Sequence, residues 1–302
     1  MEQRDRQAGA QRSGGVVRTV AAIAVLLLFW AGLARSLWPE FAPALLRIVQ
    51  MAQGADAAVL QTEHMTVRNA SRIDEATLHD VMARLEADYA AIEAAARDQA
   101  GAGEGTGTRV SVMVADGAGP ALSDGVGLSL FNDGGRVDLS TAPFFLALLR
   151  EGTLSMSGLR MFVDGGYAVY LSEEAGRAGA LLGQSSDAWV VLLRDAGAYV
   201  PLPEAWDAGL PRGEREMGIA LRVLLEGGSF LRWVAERYGP EAVWALRDGV
   251  PVYEVIGVPL AEAEGRWLAE LSRRAIEPQP CREALPEASP LRDYCGALVP
   301  AG

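Results

Sequence analysis

The feature that most constrains this chain is an uncharged apolar run, TVAAIAVLLLFWAGLA, from Thr19 to Ala34 between Arg18 and Arg35. A helix that crosses a bilayer needs about 20 apolar residues. Arginine can lay its methylenes along the helix and keep its charge at the interface, so Val16 to Leu37 suffices as one transmembrane helix. Trp30 and Trp38 then fall near the outer interface. Arg4, Arg6, Arg12 and Arg18 precede or open the span, against only Glu2 and Asp5. This positive-inside bias assigns residues 1–15 to a cytoplasmic tail, residues 16–37 to the anchor and the rest to the extracytoplasmic side. A cleaved signal peptide, with Gly32-Leu33-Ala34 as its small-residue site, is the alternative. Both readings export the bulk of the chain, and the expectation is a single-pass cell-membrane protein.

Residues 38–61 read as a mildly amphipathic connector with helical character, and Glu63 to Arg68 as a first strand. From Asp74 to Gln99, Leu78, Val81, Met82, Leu85, Tyr89 and Ile92 share one face of a helix. Val110, Val112 and Val114 alternate as in a half-buried strand. Segments 126–131 and 136–139 follow as strands, joined by the hairpin signal Asn132-Asp133-Gly134-Gly135. After Pro143 the pattern turns helical, with helices expected at 143–153, 159–173, 187–195, 215–238, 240–247 and 259–274. A helix with a small sheet, followed by a helical half, predicts an α+β fold over residues 62–274. Residues 275–302 form a Pro-rich tail holding Cys281 and Cys295. In an oxidising compartment the two cysteines would close a disulfide loop; two free thiols are the alternative.

The net charge of −12, with no lysine and no basic stripe, argues against nucleic acid as a partner. Without lysine, Schiff-base chemistry and P-loop phosphate binding also drop out. Two histidines, His64 and His79, rule out a histidine-rich metal site. Both read as structural or solvated. The adjacent glutamates Glu173 and Glu174 should diverge on a helix and face solvent.

Three segments in order carry a resemblance. They are Leu149-Arg150-Glu151-Gly152-Thr153-Leu154, then Met161-Phe162-Val163-Asp164-Gly165-Gly166-Tyr167-Ala168-Val169-Tyr170-Leu171, then Gly228-Ser229-Phe230-Leu231-Arg232-Trp233-Val234-Ala235-Glu236-Arg237-Tyr238-Gly239-Pro240-Glu241. Their succession resembles the peptidase MA-like, gluzincin-type metallopeptidase domain. In that family HExxH on one helix presents two imidazoles to zinc at i and i+4, with the intervening Glu as general base. An acidic residue of the next helix completes the set. The resemblance implies a zincin-like fold in which Arg150 and Leu154 stand at the histidine positions. Glu151 remains at the general-base position, and Asp164 stands for the third ligand.

Arginine and leucine do not ligate zinc, and a lone Glu–Asp pair holds it poorly. The expectation is therefore a domain without metal or other cofactor, in which Arg150 pairs with Asp164 where the family holds zinc. Arg150, Asp164 and Tyr167 then line a vestigial cleft, with aromatic and arginine side chains selecting a peptide or an envelope protein at the membrane. The alternative is a hydrolase that works through Glu151 and Asp164.

Overall fold

The computed structural model describes residues 58–100, 109–117, 122–123, 127–150, 160–179, 181–206, 208, 214–285, 292 and 295–299. The expected tail at 1–15 and anchor at 16–37 lie outside these residues. No helix among the described residues is long and apolar enough to cross a membrane.

The fold is mixed α+β, with a small sheet followed by a mainly helical half. Strand β1 (Ala58–Gln61) runs antiparallel to β2 (Met65–Asn69), so the end of the expected helical connector is an edge strand. Helix α1 (Glu75–Ala100) crosses over to β3 (Val110–Asp116), which pairs parallel with β2. Strand β5 (Gly127–Asp133) lies parallel to β3, and the two-residue strands β4 (Leu122–Ser123) and β6 (Arg136–Val137) run antiparallel to β5. The β5–β6 hairpin turns through Gly134 at φ 58° and Gly135 at φ 90°, the left-handed pair such a turn requires. Alternation settles which face is buried. Met65, Val67, Val112, Val114, Leu128 and Leu130 are all withdrawn from solvent.

Helix α1 starts where Asp74 accepts the Thr77 N–H at 2.9 Å, which satisfies one of the orphan donors of the first turn. Leu78, Leu85, Tyr89 and Ile92 then bury one stripe. His64 is structural, because its Nδ1 lies 2.7 Å from Glu86 of α1 and ties the β1–β2 turn to that helix. His79, with a side chain 61% exposed, faces solvent.

In the helical half, α2 spans Ala142–Arg150. A single π-helical turn, Met161–Gly165, leads into α3 (Gly166–Glu174), where one continuous α-helix was expected. There follow α4 (Ser186–Asp195), α5 (Leu202–Ala205), α6 (Glu214–Tyr238) and α7 (Pro240–Arg247). The last are α8 (Val252–Ile256), α9 (Leu260–Leu271), α10 (Cys281–Ala284) and α11 (Cys295–Leu298). Cys281 and Cys295 are joined in a disulfide, which links α10 to α11.

The 25-residue α6 is the axis of this half, contacting α3, α4, α7 and α11. Its contact with α3 is a backbone crossing. A β-carbon on Gly228 would meet the Val169 side chain at 2.6 Å, and one on Gly166 would meet the Gly227 backbone at the same distance. The π turn adds a residue just before this crossing and brings Gly165 and Gly166 in succession against α6. The core is aromatic around it, with Phe162, Trp206, Trp233 and Trp267 ringing Phe230.

Candidate functional site

Helix α2 is apolar almost all round. Ala142, Phe144, Leu146, Ala147, Leu148 and Leu149 are buried, so the helix is enclosed by its neighbours rather than laid on a surface. It ends on Arg150, itself buried. Glu151 and Leu154 lie outside the described residues.

Arg160 opens the π turn, and Asp164 sits within it. Both of its carboxylate oxygens are taken by Arg160. Oδ1 accepts from Nη2 at 2.9 Å, and Oδ2 accepts from the backbone N–H at 3.0 Å and from Nε at 3.3 Å. The pairing expected with Arg150 is thus replaced by one made inside the same turn. The reason is local: a carboxylate four residues into the first turn reaches the N–H and side chain of the residue that opens it.

Arg160 also donates to the Arg247 carbonyl. The Arg247 guanidinium lies 4.1 Å from the ring centre of Tyr167 and 4.5 Å from that of Trp244, a stacked cation–π contact with both. Tyr167 is only 1% exposed. Asp164 is thus held by Arg160, and Tyr167 is covered by Arg247, whose carbonyl accepts from Arg160. A dication placed beside Asp164 would meet the Arg160 guanidinium, and this donor set does not fit zinc. Among the described residues, no three His, Cys, Asp or Glu side chains are grouped to hold a metal ion.

A second constellation was not anticipated. Arg232 of α6 contacts the Glu173 carboxylate, and lies 3.5 Å from Asp187 and 3.8 Å from Glu174. Glu173 also accepts the Ser186 N–H and hydroxyl, at 2.7 and 2.9 Å. Its side chain is 4% exposed, so Glu173 departs from the solvated position expected from sequence, while Glu174 is 38% exposed as expected. Arg274 closes the other side against Asp187 at 3.0 Å, Glu270 at 3.3 Å and Glu236. Ser229 donates to Asp187 at 2.5 Å and accepts from the Trp267 indole at 3.3 Å. Burial pushes the Asp187 and Glu174 carboxyls up and the Arg232 guanidinium down. This ionic hub joins α3, α4, α6 and α9. Ser229, Arg232 and Glu236 recur at i, i+3 and i+7 on α6, a polar stripe within an apolar helix that could have flagged it.

Beside the hub, the last turn of α6 and the outer face of α9 enclose an open groove of about 710 Å³. Its lining is rich in arginine.

No known protein family, characterised protein or solved structure matches this chain.

Proposed function

We propose that this chain is a membrane-anchored, extracytoplasmic, peptidase MA-like domain of gluzincin type. In this reading it has given up zinc catalysis and acts in peptide or protein binding at the cell envelope. The observation that carries the reading is the Arg160–Asp164 pair, in which one guanidinium takes both oxygens of the acidic side chain that stands at the third-ligand position.

The order of elements supports the same reading. A long helix and a small sheet precede a buried helix, and a π turn then feeds a second helix packed on the glycine-bearing α6. π turns inside helices recur at functional sites, which suits a position inherited from an active centre. The alternative hydrolase needs Asp164 free to act, whereas both of its oxygens are occupied by Arg160.

Metal analysis of the purified full-length protein tests the proposal. We expect substoichiometric zinc and no peptide hydrolysis that distinguishes wild type from Glu151→Gln. Stoichiometric zinc, or hydrolysis abolished by Glu151→Gln, would make the chain an enzyme.

A further inference from the structure

The groove beside the hub is lined by four arginines and one glutamate. Arg237 in the last turn of α6, Arg266 on α9, and Arg273 and Arg274 just after it line the groove. Trp233 and Tyr238 form its aromatic wall, edge to face with centroids 5.5 Å apart. These arginines differ in what they already hold. Arg274 is committed to the hub. Arg266 pairs with Glu262 in an exposed i,i+4 contact at 2.6 Å, which a competing anion can displace. Arg273 donates Nε to the Ala269 carbonyl at 3.1 Å. Neither Arg273 nor Arg237 meets a carboxylate among the described residues. Glu270, the acidic side chain of the lining, pairs with Arg274 at 3.3 Å and accepts the Trp233 indole N–H at 3.0 Å. Those contacts hold its carboxyl below the usual range against the effect of burial.

We infer that this groove binds an acidic peptide segment in an extended conformation. Guanidinium forks match carboxylates in a way that water-exposed point charges do not. Arg266 lies on α9 and Arg273 two residues past its end, in a tightened turn where the Arg273 N–H bonds the Glu270 carbonyl at 3.0 Å, so their backbone positions lie roughly 10 Å apart along the helix axis. A polyproline-type peptide repeats its side-chain direction every third residue, over about 9 Å. Acidic residues at that interval can therefore meet successive arginines while the backbone lies along the partly exposed Tyr238. A single phosphate would leave most of the volume unused. A bilayer would need an exposed apolar surface, whereas Trp233 is 3% exposed and fixed by Glu270. The inference rests on the binding half of the proposed function and is independent of peptidase ancestry.

The test uses the full-length protein in non-ionic detergent and a fluorescein-labelled peptide with Glu at every third position between Pro and Ser. Fluorescence polarisation should show saturable binding that weakens as salt is raised, and no binding when Gln replaces Glu. Arg237→Gln and Arg273→Gln should each weaken binding about tenfold. Their unfolding temperatures should match wild type, since no carboxylate is left stranded. Absence of binding overturns the inference. So does competition by inorganic phosphate at equal concentration, which marks a small-anion site. Capture of phosphatidylglycerol vesicles without peptide binding marks a membrane contact and overturns it as well. Binding that survives both arginine variants but falls in Asp164→Ala moves the peptide to the α2–α3 corner. That result defeats this inference and leaves the peptidase-like reading standing. Zinc in the protein, with the arginine effects intact, does the reverse.

Discussion

Gly166 of α3 and Gly227 of α6 pass each other backbone to backbone, so close that a β-carbon on Gly166 would lie 2.6 Å from Gly227. A β-carbon on Gly227 would in turn run into the Phe162 carbonyl. Alanine is the better helix former by about 1 kcal/mol, yet overpacking of this kind costs about 1–3 kcal/mol. We expect Gly227→Ala to destabilise the protein in chemical denaturation. Gly265→Ala on α9, where a β-carbon meets nothing within 4 Å, should stabilise by up to about 1 kcal/mol. Equal behaviour of the two variants would show that the crossing is not close-packed.

The strong periodic segments were legible from sequence because one face of each decides its structure. The expected helix over 74–99 is observed at Glu75–Ala100, and that over 240–247 at Pro240–Arg247. The Asn132–Gly135 hairpin was equally plain, since φ > 0 at successive residues leaves few choices but glycine. The π turn was not legible. Nothing local distinguishes MFVDG from an α-helical start, and the reason for the turn lies on another helix, at Leu224 and Gly227. Family positions point Asp164 to Arg150, ten or more residues away. Its real partner, Arg160, lies four residues away. Adjacent glutamates diverge on a helix, which points Glu173 to solvent, and its burial follows only from where Arg232 arrives on α6.

Arg232 shows what such a contact costs to break. Replacing it with methionine leaves Glu173 buried without its cation, while Asp187 keeps Arg274, and stranding a buried charge costs about 3–5 kcal/mol. Lysine should recover little, since one ammonium cannot span Glu173, Glu174 and Asp187 as the fork does. Adding Glu173→Gln to Arg232→Met should restore part of the loss, because Ser186 still bonds the neutral side chain. A double-mutant cycle in thermal unfolding measures this coupling. Strict additivity would mean that Arg232 and Glu173 do not depend on one another.

The disulfide between Cys281 and Cys295 closes a loop with a sequence separation of 14. A loop of that size restricts the unfolded chain by about 3 kcal/mol. The native end is also pinned. Arg222 of α6 donates to the Leu298 carbonyl at 2.8 Å and to that of Ala297, and a β-carbon on Gly218 would meet Ala297 O at 2.6 Å. We expect Cys281→Ser/Cys295→Ser to lower stability by about 2–3 kcal/mol. Reductant should do the same to wild type and nothing to the variant. A reductant effect that persists in the double serine variant would place the sensitivity elsewhere.

Glu226 gives the clearest pH dependence. It is fully buried in α6, where Oε1 accepts the Val200 N–H at 2.9 Å. Oε2 has no hydrogen-bond partner among the described residues. Burial pushes this carboxyl well above its ordinary value of 4.5. The folded protein therefore holds a proton that the unfolded chain releases. Its contribution is complete below pH 4.5 and is lost as pH rises through the folded value. Glutamine mimics the protonated acid at every pH and keeps the acceptor for Val200. Wild type and Glu226→Gln should thus be equally stable below pH 4.5. Above it the variant should gain about 1.4 kcal/mol per pH unit until the folded carboxyl ionises. Asp187 and Glu174 are raised in the same direction, but they are present in both proteins and cancel in the difference. Denaturation curves that stay parallel from acid to neutral pH would mean that Glu226 ionises as freely in the fold as outside it.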